Sequence, residues 1–328
     1  MATIARRELL AALAGAAAWP LAARAQQPMP VVGFLGAASA AGDAFRVAPF
    51  RRGLEDAGYV EGQNLAIEYR HAGDRYDRLG ELAADLVRRQ VSVLAAAGGP
   101  SALAAKAATT TIPIVFSIGL DPIEAGLVTN LNRPGGNLTG ATDLEEELEP
   151  KRLEVLHQLM PKESVIAVLA NPTHPRAEPK RQGVERAARA LGRRIILLPA
   201  RNDQEIEAAF ASMRTLQASA LMIGADAIFN TNSEQLAALA TRHAVPTIFQ
   251  YREFVAAGGL MSYGAASLTE GYRLIGLYAG RILKGEKPGD LPVQQATKLE
   301  LFINLKTARA LGLDVPPALL IRADDVIE

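Results

Sequence analysis

Short apolar runs alternate with longer helical segments along the chain, which is the pattern of an α/β protein. Val91–Ala96 and Ile112–Phe116 are brief and rich in β-branched or small apolar residues, which predicts two buried strands. The Ala-rich segment Ser101–Ala108 between them predicts a helix. A strand, a helix and a strand in so short a stretch indicate a parallel crossover. Ligands of open parallel sheets bind beyond the carboxyl ends of the strands, so the loops after these two strands are predicted to belong to a ligand site.

The same alternation extends on both sides of this unit. Turn-forming residues such as Gly58 separate the segments and mark their ends. The pattern predicts three further strands and two further helices, at Val31–Gly36, Asn64–Arg70, Asn137–Ala141, Asp43–Ala57 and Tyr76–Gln90. The order βαβαβαβ predicts one doubly wound parallel sheet for the first half of the chain.

The second half of the chain repeats the first at a nearly constant offset. Val31 and Val165 begin corresponding strands 134 residues apart, and Pro113 and Pro246 precede corresponding strands 133 residues apart. Two consecutive units of one topology predict an α/β fold with two doubly wound, Rossmann-like lobes and a cleft between them.

The repeat also suggests how the chain is divided into domains. We expect a signal peptide at 1–27, a first lobe formed by 28–143 with about 285–328, and a second lobe at about 144–284. In this division the helix Ser267–Lys284 ends the second lobe, and the last segment returns to the first. Several crossings between lobes predict a hinge, because a few residues at the ends of elements can absorb domain closure.

The N-terminus has the three parts of a secretory signal peptide. Arg6–Arg7 precede an apolar run at Leu9–Ala18, and Ala23–Ala25 fits a cleavage site, which predicts a periplasmic protein cleaved near Ala25. The paired arginines favour twin-arginine export, although Glu8 departs from the strongest form of that motif. The general export route, an amphipathic helix and a membrane anchor are the alternatives, but the apolar run is short for a bilayer span.

Composition excludes several classes of function. Lys+Arg and Asp+Glu are both 35, so the basic surplus that phosphate binding requires is absent and no nucleic-acid partner is expected. The chain has no cysteine, which excludes disulfides, thiolate catalysis and a Cys-anchored lipoprotein. Neither a nucleophile elbow nor a phosphate-binding loop occurs, and the four histidines lack metal-ligand spacing. We therefore expect no cofactor, no metal and no catalytic activity.

Several blocks of sequence resemble a known family. PVVGFLG, AAKAATTTIPIVF, LNRPGGNLTG, IAVLANP, ALMIGAD and YREFVAAGGLMSYG, with others in order along residues 28–328, are similar to the ABC-type substrate-binding proteins of the tryptophan/tyrosine-binding (TrpX-like) family. The resemblance implies a type I periplasmic-binding fold, two lobes with three crossings, and delivery of a small molecule to a membrane permease. It does not specify the ligand.

Strand ends supply the candidate ligand-binding residues on the first lobe. Gly98, Gly99 and Ser101 open a helix, so N–H groups and a hydroxyl there suit a carboxylate, although a tight turn with a helix cap explains them equally well. Ser117 follows the next strand, and the resemblance implies that hydroxyls at these two strand ends hold a substrate carboxylate. Asp121 is the first residue of an Asp-Pro turn, which is the explanation we favour over a ligand contact. Further candidates, by position alone, are Ala38, Ser39, Thr142 and Asp143.

Four candidates lie on the second lobe. Asp226 follows a buried strand, and the fold class places an acid near this position to pair with a ligand ammonium; a helix cap is the alternative. Asn171 ends the strand at Val165 and either bonds the ligand or forms an Asn-Pro turn. Phe229 and Tyr251 suit stacking on a ring, but aromatic residues at strand ends are often part of the core.

These observations predict an exported solute-binding receptor of an ABC importer. The two lobes would close on a small molecule, for which the family resemblance implies an amino acid or related carboxylate as the first candidate, and the closed, monomeric receptor would dock on an inner-membrane ABC permease. A periplasmic enzyme on the same scaffold is one alternative, disfavoured by the lack of an assembled nucleophile and base. A ligand-sensing regulator is another, but only a signal peptide precedes Val31, where a DNA-binding module would be needed.

Overall fold

The computed structural model describes residues 29–160 and 164–328. The predicted signal peptide and its cleavage site at Ala25 lie outside the described residues. Within the two described ranges, no helix is both long enough and apolar enough to cross a membrane. The described residues form two α/β lobes, each built on one sheet.

A fully parallel sheet of six strands forms the first lobe, in the order β11-β5-β4-β3-β1-β2. Its strands are β1 (Val31–Gly36), β2 (Ala66–His71), β3 (Val93–Ala97), β4 (Ile114–Ile118), β5 (Leu138–Thr142) and β11 (Gln294–Gln295). Helices α1 (Ala44–Asp56) and α10 (Glu270–Leu283) cover one face. Helices α2 (Leu79–Arg88) and α3 (Gly99–Ala108) cover the other, with a 3₁₀ turn at Tyr76–Arg78 before α2. Apolar side chains on both faces of the sheet are buried against these helices, as is usual for parallel sheets.

Seven strands in the order β13-β12-β10-β9-β8-β6-β7 form the sheet of the second lobe. The strands are β6 (Val165–Ala170), β7 (Ile195–Pro199), β8 (Ala218–Ile223), β9 (Thr247–Phe249), β10 (Met261–Ala265), β12 (Leu299–Asn304) and β13 (Asp325–Ile327). One face packs on α6 (Asp203–Ser212), α7 (Ala227–Thr231), α8 (Ser233–Arg242) and α9 (Arg252–Ala256). The other packs on α4 (Glu149–Leu159), α5 (Ala177–Ala190), α11 (Leu305–Ala310) and α12 (Pro317–Arg322). Only the β10–β12 pair is antiparallel among the pairings of this sheet.

The C-terminal segments belong to the opposite lobes from those predicted. Helix α10, expected to end the second lobe, packs on the first, where Tyr272 and Ile275 join the core formed with α1. Strand β12, expected in the first lobe, pairs with β10 in the second. A Cβ at Gly276 would lie 2.0 Å from the backbone oxygen of Phe50, so the close packing of α1 on α10 requires glycine at this position.

The corrected assignment gives three crossings between the lobes. The chain passes between β5 and α4, between β10 and α10, and between β11 and β12. The first lobe is thus residues 29 to about 143 with about 267–295, and the second is about 144–265 with about 297–328. Three crossings are what the family resemblance implies, and together they bring the carboxyl ends of both sheets to one cleft.

Two predicted boundaries near the cleft are displaced by one or two residues. Strand β4 runs to Ile118, so Ser117 is its penultimate residue and not the residue after it. Helix α3 begins at Gly99, directly after Gly98, whose φ of 95° lies in the left-handed region that favours glycine. This tight connection brings the start of α3 to the end of β3, at the edge of the cleft.

Candidate functional site

A cavity of about 390 Å³ lies between the lobes. The first lobe contributes Gly98, Gly99 and Ser117 to its wall, and the second contributes Asp226 and Tyr251. All three crossings reach it as well, through Thr142, Asp143, Glu145, Ala265, Ala266, Ser267, Gln295, Ala296 and Thr297. A volume in this range is typical of small-molecule sites, and walls from two lobes are typical of sites that close on their ligand.

The first-lobe wall carries hydrogen-bond donors. Gly98 and Gly99 line the cavity at the N-terminus of α3, and Gly98 donates its N–H to the carbonyl oxygen of Ser117 at 2.8 Å. The helical ladder of α3 begins with the N–H of Ala102 donating to the carbonyl of Gly98. The N–H groups of the first turn therefore have no acceptor within the helix, and the helix dipole favours an anion at this end. The half-buried Ser117 lines the cavity beside them.

Asp226 places a buried carboxylate on the second-lobe wall. Its Oδ1 accepts hydrogen bonds from the N–H of Ile228 at 2.9 Å, from the hydroxyl of Tyr76 at 2.7 Å and from the amide of Asn171 at 3.4 Å. Its Oδ2 has no hydrogen-bond partner among the described residues, although Asp226 is only 5% exposed. Burial raises the pKa of Asp226, and Lys180 and Tyr76 oppose that rise. The helix-cap explanation of Asp226 thus has structural support, since Oδ1 caps α7, while the buried Oδ2 has an unfilled hydrogen-bonding position.

Tyr251 and the first crossing form another part of the wall. The Tyr251 hydroxyl donates to Oδ2 of Asp143 at 2.7 Å, which ties the loop after β9 to the segment between the lobes. Burial raises the pKa of Asp143 to about 6, and burial also holds the pKa of Tyr251 well above its usual value. The pair therefore places a hydroxyl and a proton-binding carboxyl, linked to each other, at the back of the cavity.

Two further carboxyls of the first crossing face the cavity. Glu145 pairs with Arg152 of α4 at 2.6 Å, and burial raises its pKa against the opposing effect of that guanidinium. Glu146 lies 3.4 Å from Nε2 of His174 and 3.5 Å from Nε of Arg176, and burial raises its pKa to about 7. Burial also lowers the pKa of His174 well below 6.5, so at neutral pH the ring is uncharged and its contact with Glu146 is not an ion pair.

Three first-lobe candidates lie outside the cavity wall. Ser39 is exposed, and its Oγ accepts the N–H of Gly42 in a local turn, while the neighbouring Ala38 is buried. Asp121 caps a turn by accepting the N–H groups of Ile123 and Glu124, which agrees with the turn we favoured. The loop after β1 leads into α1, with the N–H of Asp43 donating to the carbonyl oxygen of Ser39, and neither Ala38 nor Ser39 lines the cavity.

Ser101, Asn171 and Phe229 also lie behind the wall. Ser101 is fully buried, and its hydroxyl has no partner in the described part of the chain, but it faces the interior of the first lobe. Asn171 orients Asp226 and borders a second cavity of about 440 Å³ inside the second lobe. Phe229 is 0% exposed and packs in the core of that lobe, so it is the core aromatic that we gave as its alternative.

Sequence reasoning missed two first-lobe residues at the cleft, Arg46 and Tyr76. Arg46 is 2% exposed and lines the cavity, and its guanidinium reaches the second lobe. A signal existed, because Arg46 shares one helical face with the buried Phe50 and Leu54, where a cation needs a specific partner. Tyr76 begins the turn before α2, and no spacing in the sequence relates it to Asp226.

Two α/β lobes, joined by three crossings around a ligand-sized cavity, have the type I periplasmic-binding fold, which solved periplasmic binding proteins of low sequence identity share. More narrowly, the chain belongs to the family of ABC transporter substrate binding proteins, whose family model matches residues 8–327. This confirms the family resemblance of the sequence.

Individual relatives agree with this membership. A tyrosine-binding protein of Clostridioides difficile (strain R20291) is 28% identical over 264 residues, which are 80% of this chain and 75% of the relative. A conserved domain protein of Vibrio cholerae O1 biovar El Tor is 28% identical, with a TM-score of 0.75 over 91% of this chain and 99% of that one. An ABC domain from Streptococcus pneumonia in complex with L-Trp is similar in fold, with 23% identity, a TM-score of 0.75 and the same coverage.

Proposed function

We propose that the protein is an exported receptor of an ABC importer that encloses an amino acid, or a related small carboxylate with an amine, and delivers it to a membrane permease. One observation carries this proposal. The cavity offers N–H donors on the first-lobe wall and, across it, an unpartnered buried carboxylate oxygen on Asp226. A zwitterion with its carboxylate at the start of α3 and its ammonium at Asp226 satisfies both walls.

The relatives support an amino acid as the first compound to test. One curated relative is a tyrosine-binding protein, and one structure of the same fold holds L-Trp. Export rests on the signal-peptide pattern of the N-terminus, and delivery to a permease rests on membership in the ABC family.

Three matched compounds test the two-walled site. L-tyrosine carries both groups, tyramine lacks the carboxylate, and 3-(4-hydroxyphenyl)propionate lacks the amine. We expect L-tyrosine or L-tryptophan to raise the melting temperature of the purified protein with concentration, and each truncated compound to raise it much less. Equal shifts with all three compounds would contradict recognition of the two charged groups.

Variants on the two walls test which residues bind. Ser117→Ala and Asp226→Asn are each expected to weaken binding roughly tenfold, the effect of losing a charge-assisted hydrogen bond of about 1.5 kcal/mol. Asp121→Asn is the matched control, because it alters a carboxylate that caps a turn outside the wall. If Ser117→Ala and Asp226→Asn both bind as the unaltered protein does, our assignment of the site is wrong. Isothermal titration calorimetry measures the three affinities.

A further inference from the structure

Direct side-chain contacts join the lobes in addition to the three crossings. Arg46 of α1 reaches out of the first lobe and donates from Nη2 to the carbonyl oxygen of Ala227 at 3.0 Å. The same guanidinium donates from Nη1 to Oγ1 of Thr231 at 3.2 Å. Both acceptors belong to the short helix α7 of the second lobe, so one buried cation holds both ends of this helix.

The first lobe fixes the orientation of Arg46. Its Nη1 lies 2.8 Å from Oδ1 of Asp43, and Oδ2 of that carboxylate contacts Nδ1 of His71 at 2.8 Å. Its Nε donates to the hydroxyl of Tyr272 at 3.2 Å, and its guanidinium lies 4.2 Å from the centroid of the Phe45 ring. A buried cation held on several sides is pre-organised, so it loses little rotamer freedom when it contacts the other lobe.

A second contact between the lobes ends on the residue that begins α7. The Tyr76 hydroxyl donates to Oδ1 of Asp226 at 2.7 Å, and the Tyr76 ring meets the His174 ring edge-on, with 6.1 Å between centroids. Because Tyr76 and Asp226 belong to different lobes, this bond exists only when the lobes are together. The contacts of Arg46 and Tyr76 therefore converge on residues 226–231.

We propose that Arg46 and Tyr76 form a latch that holds the lobes closed and, through Tyr76, turns Oδ2 of Asp226 toward the ligand. Tyr76 occupies Oδ1 from the first lobe and the N–H of Ile228 binds the same oxygen, so Oδ2 is the oxygen left without a hydrogen-bond partner among the described residues. Tyr76 is thus a positioning residue that acts through Asp226. This last role rests on the proposed function, whereas holding the lobes closed does not.

The absence of cysteine allows a direct test of closure. Asp77→Cys and Gln204→Cys place spin labels at exposed positions, one on each lobe. Electron double resonance on the purified protein then gives the distribution of distances between the lobes, without ligand and with L-tyrosine. The distribution measures the ratio of closed to open protein in both conditions.

Tyr76→Phe and Thr231→Val each delete one latch hydroxyl and preserve the shape of the side chain. Each is expected to lower the ratio of closed to open protein about fivefold, as for the loss of one hydrogen bond. Tyr69→Phe and Thr241→Val are the matched controls, because those hydroxyls bond only within one lobe and leave the ratio unchanged. If Tyr76→Phe and Thr231→Val match their controls, or if the unaltered protein shows no short-distance population in either condition, the latch is refuted.

The positioning role has its own measurement. With the latch as proposed, Tyr76→Phe weakens the binding of L-tyrosine more than that of 3-(4-hydroxyphenyl)propionate, whereas Thr231→Val weakens both equally. Equal losses in Tyr76→Phe would refute positioning through Asp226. If L-tyrosine and L-tryptophan neither bind nor change the distances in the unaltered protein, the proposed function loses its support, while the ligand-free ratios still decide whether the latch holds the lobes.

Discussion

The buried carboxyl of Glu146 should make the stability of the protein depend on pH, and Glu146→Gln should remove that part of the dependence. Burial raises the pKa of Glu146 from 4.5 to about 7. In the unfolded chain this carboxyl loses its proton near its ordinary pKa, whereas the folded protein keeps the proton until about pH 7. The folded state therefore binds more protons in this window, and stability falls as the pH rises through it.

The size of the effect follows from the two pKa values. A difference of about 2.5 at ~1.4 kcal/mol for each pKa unit gives about 3 kcal/mol when both states are fully ionised. At about pH 5 only ~1 kcal/mol of that cost is present, so about 2 kcal/mol is lost between about pH 5 and about pH 8. Gln carries no charge at either pH and keeps the shape of a protonated Glu beside His174 and Arg176.

Urea unfolding at the two pH values measures this difference. We expect the free energy of unfolding of the unaltered protein to fall by about 2 kcal/mol more than that of Glu146→Gln over the same interval. Asp143 and Glu145 contribute in the same direction in both proteins, so the comparison isolates Glu146. The control is Glu81→Gln, which alters an exposed carboxyl on α2. An identical pH dependence with and without the substitution would show that burial does not raise the pKa of Glu146, and our reasoning would fail.

Two further predictions concern buried contacts, one at the first crossing and one between α1 and α10. Each compares a substitution with a control, and both are measured by urea unfolding. Arg152→Ala removes the fully buried guanidinium from Glu145 and should cost about 3 kcal/mol or more, whereas Lys151→Ala, which breaks a half-exposed pair, should cost less than about 1 kcal/mol. Gly276→Ala places a Cβ 2.0 Å from a backbone oxygen of α1 and should cost about 3 kcal/mol, whereas Gly183→Ala meets nothing within 4 Å in the middle of α5 and should stabilise the protein by up to ~1 kcal/mol. Equal costs within either pair would contradict the contacts described here.

Periodicity was sufficient to predict the architecture, because each element buries a continuous face. The strands at Val31 and Val165 and the helices between them follow from local pattern alone, and the repeat supplies the two lobes. Local pattern does not record which sheet a buried face meets. The apolar face of α10, with Tyr272 and Ile275, does not by its pattern specify a lobe, and the contacts that place it on the first lobe include the close approach of Gly276 to α1.

For the candidate site, too, the sequence predicts which strand ends contribute residues but not how the two lobes meet. The strand-end rule located Gly98, Gly99, Ser117, Asp226 and Tyr251, all of which line the cavity. It also selected residues at strand ends that face inward, because position along a strand fixes the edge of the sheet but not the direction of the side chain beyond it. Phe229 and Asn171 are examples. The contact of Tyr76 with Asp226 has no sequence signal, since the distance between these residues depends on how two separate units meet.

The contacts at the crossings are stronger than those of the latch, and this difference explains how such a protein would open. The crossings hold buried ionic contacts, with Arg152 at 0% and Glu145 at 2% side-chain exposure, whose separation would leave charges unpaired in the interior. The proposed latch consists of three hydrogen bonds from Arg46 and Tyr76, together about 3 kcal/mol. A ligand at 100 times its dissociation constant shifts the balance toward the closed form by about 2.7 kcal/mol, which is similar to the contribution of the latch. Opening should therefore break the latch and preserve the crossings, and the latch and the ligand together should decide which arrangement dominates.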